Sequence, residues 1–290
     1  MPRNKWIAGA RPRTLPAALA PVLVGTALRH TDHKQIDLIN ALLALLVSLA
    51  LQVGVNYAND YSDGIRGTDT VRVGPIRLVG SGLATPASVK AAAVSTFGVA
   101  ALLGLVLSAR TSWWLLLIGA LSIAAAWFYT GGSSPYGYKG LGEISVFIFF
   151  GLVATTGSYV VQSQHISWQP LLVSIPVGAL ACALLAVNNL RDLPKDALVG
   201  KRTLAVRVGE LNARRSLIGL LVLAHLSCLI AVAISPWSVA TLLLLPISLR
   251  ISREVWNGAK GADLIPILGD IGRLHLLLST TLAMALLAKR

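Results

Sequence analysis

The chain has 290 residues, 55% of them hydrophobic and only 13% charged, with a net charge of +13. A mean hydropathy of +0.71 excludes an ordinary soluble domain, where roughly a quarter of residues are charged. The basic excess calls for no nucleic-acid partner, because juxtamembrane Lys and Arg facing anionic lipid account for it.

In chain order, Met1–Trp6 lacks the apolar core and small-residue cleavage site of a signal peptide, so the first apolar run is expected to be retained. Apolar runs follow at Leu15–Leu28, Leu38–Ala58, Ala87–Ala109, Trp113–Tyr129 and Ile144–Val161. They continue at Leu171–Leu190, Leu217–Ile234, Ser238–Leu249 and Ile271–Leu287. Most approach the ~20 residues that a bilayer demands, with those at Leu15 and Ser238 shorter. The expectation is an all-α, polytopic transmembrane bundle of about nine spans, one integral membrane domain over residues 1–290. With a cytoplasmic N-terminus, 20 of the 25 Lys and Arg residues fall in inner segments, in line with the positive-inside rule. The longest polar stretches, Asp60–Pro86 and Arg191–Arg215, then form cytoplasmic cap loops.

Two apolar runs end in polar residues at four-residue spacing. The first reads Gln52, Asn56, Asp60, with Asp63 and Asp69 beyond; the second reads Asn188, Asp192, Asp196. Positions i, i+4 and i+8 share one helix face, so each set is a polar stripe at a helix end. Five of the chain's 12 acids lie in these clusters, and ionisable groups at membrane depth mark sites. Hard cations such as Mg²⁺ take carboxylate and phosphate oxygens, so the pattern suggests metals bridging a diphosphate. Arg66, Arg72 and Arg77 after the first cluster, with Lys195, Lys201 and Arg202 after the second, are candidates to neutralise it. The plainer alternative is solvated loop acids paired with loop bases.

Four spans separate Asn56 from Asn188, which places both clusters on one face and suggests two similar four-helix halves. Pro194 is expected to break the second stripe after Asp192. Tyr136, Tyr138, Lys139 and Glu143 cluster in a Gly-rich connection, suited either to substrate binding or to an interfacial belt. Cys182 and Cys228 read as core residues, and no His shows metal-ligand spacing.

The first motif, Asn56-Tyr-Ala-Asn-Asp60-Tyr-Ser-Asp63-Gly-Ile-Arg-Gly-Thr-Asp69, resembles the first Asp-rich motif of the UbiA superfamily of intramembrane aromatic prenyltransferases. Asn188-Asn-Leu-Arg-Asp192-Leu-Pro-Lys-Asp196, followed by Gly200-Lys-Arg-Thr-Leu-Ala-Val-Arg-Val-Gly209, resembles the second. Trp6–Pro16, Gly74–Val79 and the Tyr129–Glu143 connection are most similar to the branch that prenylates 1,4-dihydroxy-2-naphthoate in menaquinone synthesis. The first motif departs from the superfamily's N-x3-D-x3-D, since either register meets Gly64 or Gly67 where the last acid belongs. Which of Asp60, Asp63 and Asp69 bind metal is therefore left open.

The resemblance implies Mg²⁺ held by Asp60, Asp63 or Asp69 together with Asp192 and Asp196, gripping a polyprenyl diphosphate. Asn56 and Asn188 would orient the carboxylates, and Tyr138 and Lys139 are catalytic candidates by position. It further implies an acceptor, 1,4-dihydroxy-2-naphthoate, that loses CO₂, and a bacterial plasma-membrane enzyme whose site faces the cytoplasm among lipids. Prenyl chain length and oligomeric state have no signature in these motifs. Sibling acceptors such as 4-hydroxybenzoate, or a chlorin or haem precursor, fit the same motifs. An ion-coupled transporter is the alternative from another class.

Overall fold

The structure, a computed structural model, describes residues 4–32, 35–68, 74 and 76–289. It is all-helical, with no strand among the described residues. A short α1 (Lys5–Ala10) leads through a tight turn into α2 (Pro16–Leu28). Then come α3 (Leu38–Ile65), α4 (Pro86–Arg110), α5 (Trp114–Phe128) and α6 (Gly142–Ser163). The chain closes with α7 (Gln169–Leu198), α8 (Leu204–Ile230), α9 (Leu245–Trp256, entered through the 3-10 stretch Pro236–Leu244) and α10 (Leu264–Leu287). Every apolar run of the sequence lies on one of the segments from α2 to α10. Among the described residues, six helices are long and apolar enough to cross a membrane, and α5 is a shorter apolar helix. This is a multi-pass membrane protein.

Helix starts follow local chemistry. The Asp37 carboxylate accepts the Ile39 and Asn40 amides at 2.9 and 3.0 Å, capping α3. Thr85 caps α4 with Pro86 in the first turn, where the missing N–H costs nothing. Pro194 does not end α7, which runs on to Leu198. The ring forfeits one bond, to the Leu190 carbonyl, and does so in an exposed stretch near the helix end where little else depends on it.

Packing is organised around α7. It lies against α2, α8 and α10 in the largest apolar cluster, which includes Val24, Leu180, Leu217 and Leu274. Lipid-embedded helices gain little from burying apolar surface against each other, so close backbone approach matters more. Gly151 of α6 meets Gly178 of α7, and a Cβ at Gly151 would stand 2.7 Å from the Gly178 Cα. Exposed Leu102, Leu121 and Leu226 give the bundle an apolar perimeter suited to lipid.

Length positions the acids. At 1.5 Å per residue, the 28 residues of α3 and 30 of α7 span about 42 and 45 Å. A hydrocarbon core is about 30 Å thick, so both helices are longer than it, and both carry their acidic motif in the last turns, at one end of the bundle.

Candidate active site

The two motifs meet at that end, above a cavity of about 470 Å³. Asp63, 1% exposed, is the centre of the cluster. Its Oδ1 accepts the Tyr138 hydroxyl at 2.6 Å. Its Oδ2 faces Arg77 Nη2 at 3.7 Å and Lys201 Nζ at 3.6 Å. Lys201 also lies 4.9 Å from the Tyr138 ring centroid, and the Arg66 guanidinium 5.6 Å from it. Arg66 donates to the carbonyls of Ser62, Thr130 and Gly132, which pins the Gly-rich connection to the end of α3. Residues from three separate segments, Arg77, Tyr138 and Lys201, thus converge on one carboxylate.

Asp60 is engaged differently. It is fully buried, and its two oxygens accept the backbone amides of Leu78 and Val79 at 2.8 and 3.0 Å. It holds the turn that delivers Arg77. On α7, Asp192 takes two bonds from its neighbour Arg191, Nε–Oδ1 and Nη2–Oδ2, both 2.8 Å. A Cβ at Gly74 would stand 3.1 Å from the Arg191 guanidinium carbon, so Gly74 rests on the second motif. Asp196 is buried, and its carbonyl accepts the Lys201 amide at 2.8 Å, folding Lys201 back toward the acids.

Tyr129 marks the junction. It is half-buried at the end of α5, lines the cavity, and its ring stands 5.5 Å edge-on from that of Tyr136. The Tyr138 hydroxyl is raised above its usual range, first by burial and then by the Asp63 charge beside it. Tyr138 is therefore a neutral hydrogen-bond donor to Asp63.

The remaining predicted residues are distributed around this centre. Asn56 and Asn188 line the cavity. Asn56 donates to the Ala10 carbonyl at 2.9 Å and Thr14 Oγ1 at 3.1 Å, while Asn188 donates to the Leu184 carbonyl at 2.8 Å. Lys195 is half-buried beside Asp196 in sequence, and Lys139 and Arg202 are exposed at the rim. Asp69 and Arg72 lie outside the described residues. Among the described residues, no three His, Cys, Asp or Glu side chains stand close enough together to hold a metal ion. The acids are instead held by amides, a phenol and cations, and the donors offered are all carboxylate oxygens. That donor type suits a hard cation such as Mg²⁺.

Below the cluster the cavity becomes apolar. Val47, Leu51, Gly104, Phe149 and Phe150 line it, and Val22, Ala44, Leu107 and Val161 pack together at the far end. An apolar chamber with a polar end beside a charged cluster suits a ligand with an ionic head and a hydrocarbon tail.

Residues 18–264 match the UbiA prenyltransferase family. The chain belongs to the UbiA prenyltransferase family. It is 49% identical to the 1,4-dihydroxy-2-naphthoate octaprenyltransferase of Mycobacterium tuberculosis, over 97% of this chain and 96% of that protein. It is 40% identical to the Escherichia coli protein of the same name, over 91% and 88%. Its fold is similar to that of a UbiA homolog from Archaeoglobus fulgidus bound to GPP and Mg²⁺, with a TM-score of 0.71 at 16% identity over 98% of this chain and all of that one. The apo UbiA homolog from Aeropyrum pernix K1 gives a TM-score of 0.73 at 15% identity, over 92% and 96%.

This UbiA prenyltransferase carries three site features that sequence reasoning missed. Arg191 counted only as a basic residue, although its place immediately before Asp192 was the available signal. Tyr129 closes an apolar run and opens the Tyr129–Glu143 connection, and nothing local marks it as lining the cavity. Arg11, at the cavity mouth, has no local signature beyond its Arg-Pro-Arg-Thr setting.

Proposed function

We propose that this chain transfers a polyprenyl group from a polyprenyl diphosphate to 1,4-dihydroxy-2-naphthoate, with loss of CO₂ and diphosphate. The product is demethylmenaquinone in its reduced form. The observation that carries this reading is the acidic end of both motifs set beside an apolar chamber that Asn56, Asn59 and Asn188 of the same motifs line. Full-length similarity to proteins named for that acceptor supports the choice of naphthoate.

In this reading Asp63, Asp192 and Asp196, with Asp69, hold Mg²⁺, which when bound neutralises the diphosphate and stabilises it as a leaving group. Arg77, Lys201 and Arg66 supply positive charge to the departing oxygens. The Tyr138 hydroxyl donates a hydrogen bond to Asp63 in the free enzyme and can turn the same donor toward a diphosphate oxygen. Asp60 keeps Arg77 in place through the Leu78 and Val79 amides. As the allylic C–O bond breaks, its electrons leave with diphosphate. A ring carbon of the acceptor forms the new C–C bond, and CO₂ leaves its bonding electrons in the ring. The apolar walls at Leu51, Phe149 and Phe150 keep water from the allylic centre.

We further propose nine crossings in two four-helix halves plus α10, one membrane domain of a bacterial plasma membrane with the N-terminus and site on the cytoplasmic side. The basic-residue asymmetry of the sequence supports that orientation. The test uses purified protein in lipid with dihydroxynaphthoate, a polyprenyl diphosphate and Mg²⁺, followed by mass spectrometry with and without EDTA. Metal-dependent prenylated, decarboxylated product is expected. Prenylation of 4-hydroxybenzoate instead would overturn the acceptor, and no product from folded protein would overturn the reading.

A further inference from the structure

We propose that Arg11 binds the carboxylate of the aromatic acceptor, an inference that rests on the acceptor reading above. Among the described residues that line the cavity, Arg11 is the only one with a charged side chain. The other polar residues lining it, among them Thr14, Gln52, Asn56, Asn59, Tyr129 and Asn188, are neutral. A planar guanidinium facing an otherwise uncharged, largely apolar chamber is matched to a flat anion entering that chamber, because its fork of N–H donors fits a carboxylate bidentately.

The backbone holds Arg11 there deliberately. Its φ and ψ are 53° and 73°, and among the described residues it is one of two non-Gly residues with positive φ. Strained conformations of this kind persist only where the surroundings enforce them. Here the Arg11 amide donates to the Ala8 carbonyl at 3.2 Å, and the Arg11 carbonyl accepts the Thr14 amide at 2.9 Å and Thr14 Oγ1 at 3.0 Å. From α3, Asn56 binds the Ala10 carbonyl and Thr14, while Gln52 binds Thr14 at 3.1 Å. Two of the intramembrane polar residues of the first motif thus clamp both sides of the Arg11 bend.

Depth separates this cation from those serving the diphosphate. Arg77 and Lys201 gather on Asp63. The Arg11 bend is tied to Asn56, seven residues back along α3, about 10 Å deeper by helix rise. A donor with its diphosphate at Asp63 has its reacting carbon below, at the level where a ring anchored by Arg11 lies.

The experiment compares wild type, Arg11→Gln and Arg11→Lys as full-length protein in lipid with Mg²⁺. Acceptors are 1,4-dihydroxy-2-naphthoate and 1,4-dihydroxynaphthalene, which lacks the carboxylate. In parallel, binding of the unreactive pair 1-hydroxy-2-naphthoate and 1-naphthol is read by thermal shift, which needs no turnover. Arg11→Gln is expected to raise the KM for the acid at least 10-fold and leave the donor KM within twofold. It should also erase the preference for the carboxylated ligand in binding, with Arg11→Lys intermediate. A raised donor KM with an unchanged acceptor KM would overturn the proposal in favour of diphosphate binding, and unchanged values throughout would overturn it outright. Wild type inactive on dihydroxynaphthoate, yet binding the acid through Arg11, would sink the acceptor reading and sustain this one.

Discussion

The two ends of the bundle both bury charge, but they use it differently. At the end opposite the motifs, Asp32 pairs with Arg29 at 3.4 Å and accepts the Tyr159 hydroxyl at 2.7 Å, and Tyr159 meets His165 Nε2 at 3.0 Å. Beside it, Asp37 pairs with Arg110 at 3.2 Å and exchanges two backbone bonds with Gln162, while Asn40 ties Arg110 to the Val161 carbonyl. These contacts stitch α2, α3, α4 and α6 together. At the motif end, Arg77, Lys201 and Tyr138 from separate segments face Asp63, Asp192 is paired with Arg191 at 2.8 Å, and the cluster lies beside the end of the cavity lined by Asn56, Asn59 and Asn188. The contacts at the far end fasten neighbouring helices, whereas those at the motif end gather residues from separate segments beside the chamber, and in the proposed function they give way to a ligand.

That contrast breaks most visibly at the acids. Asp192→Asn should lower turnover by at least about 10²–10³-fold, the scale of losing one preorganised charge-stabilising group, with the melting temperature little changed. Steady-state kinetics beside a thermal melt reads both. Asp60→Ala should act through structure instead. It strips the buried Leu78 amide of its acceptor, at about 1–3 kcal/mol, so a lower melting temperature should accompany a partial loss of activity. Activity lost with an unchanged melt would place Asp60 among the metal ligands.

Smaller effects belong to the opposite end. Tyr159→Phe removes the donor to Asp32 and should cost about 1–3 kcal/mol of stability with kcat/KM unchanged. The smallest is a pH effect at Asp37, whose carboxyl is held below its ordinary value, mainly by the Asn40 amide with help from the Ile39 amide and Arg110. A depressed folded pKa contributes stability present above the unfolded value near 3.8 and lost as pH falls through the folded one. Acid below pH 4 should therefore loosen the start of α3, seen as faster hydrogen exchange there, and Asp37→Asn should remove the dependence.

Much of this was legible in the sequence because it is local. Apolar run length and turn chemistry mark α2 to α10, and the four-residue spacing puts Asp60 and Asp192 on helix ends. What was not legible depends on distant partners. Nothing near Asn56 announces that it holds Ala10 and Thr14, and nothing near Asp60 announces the Leu78 and Val79 amides. Those pairings exist only once α1 and the 76–79 turn dock on α3. Pro194 misled for the opposite reason: a local rule about helix breaking carries little weight in the last turns, where few bonds remain to be lost.

The most direct test measures binding of an unreactive polyprenyl diphosphate analogue, with and without Mg²⁺, to wild type, Asp63→Asn and Tyr159→Phe in lipid. Metal-dependent binding in wild type and Tyr159→Phe, lost in Asp63→Asn, is the expected result. Wild-type binding by Asp63→Asn, or its loss in a folded Tyr159→Phe, would contradict the division of labour between the two ends.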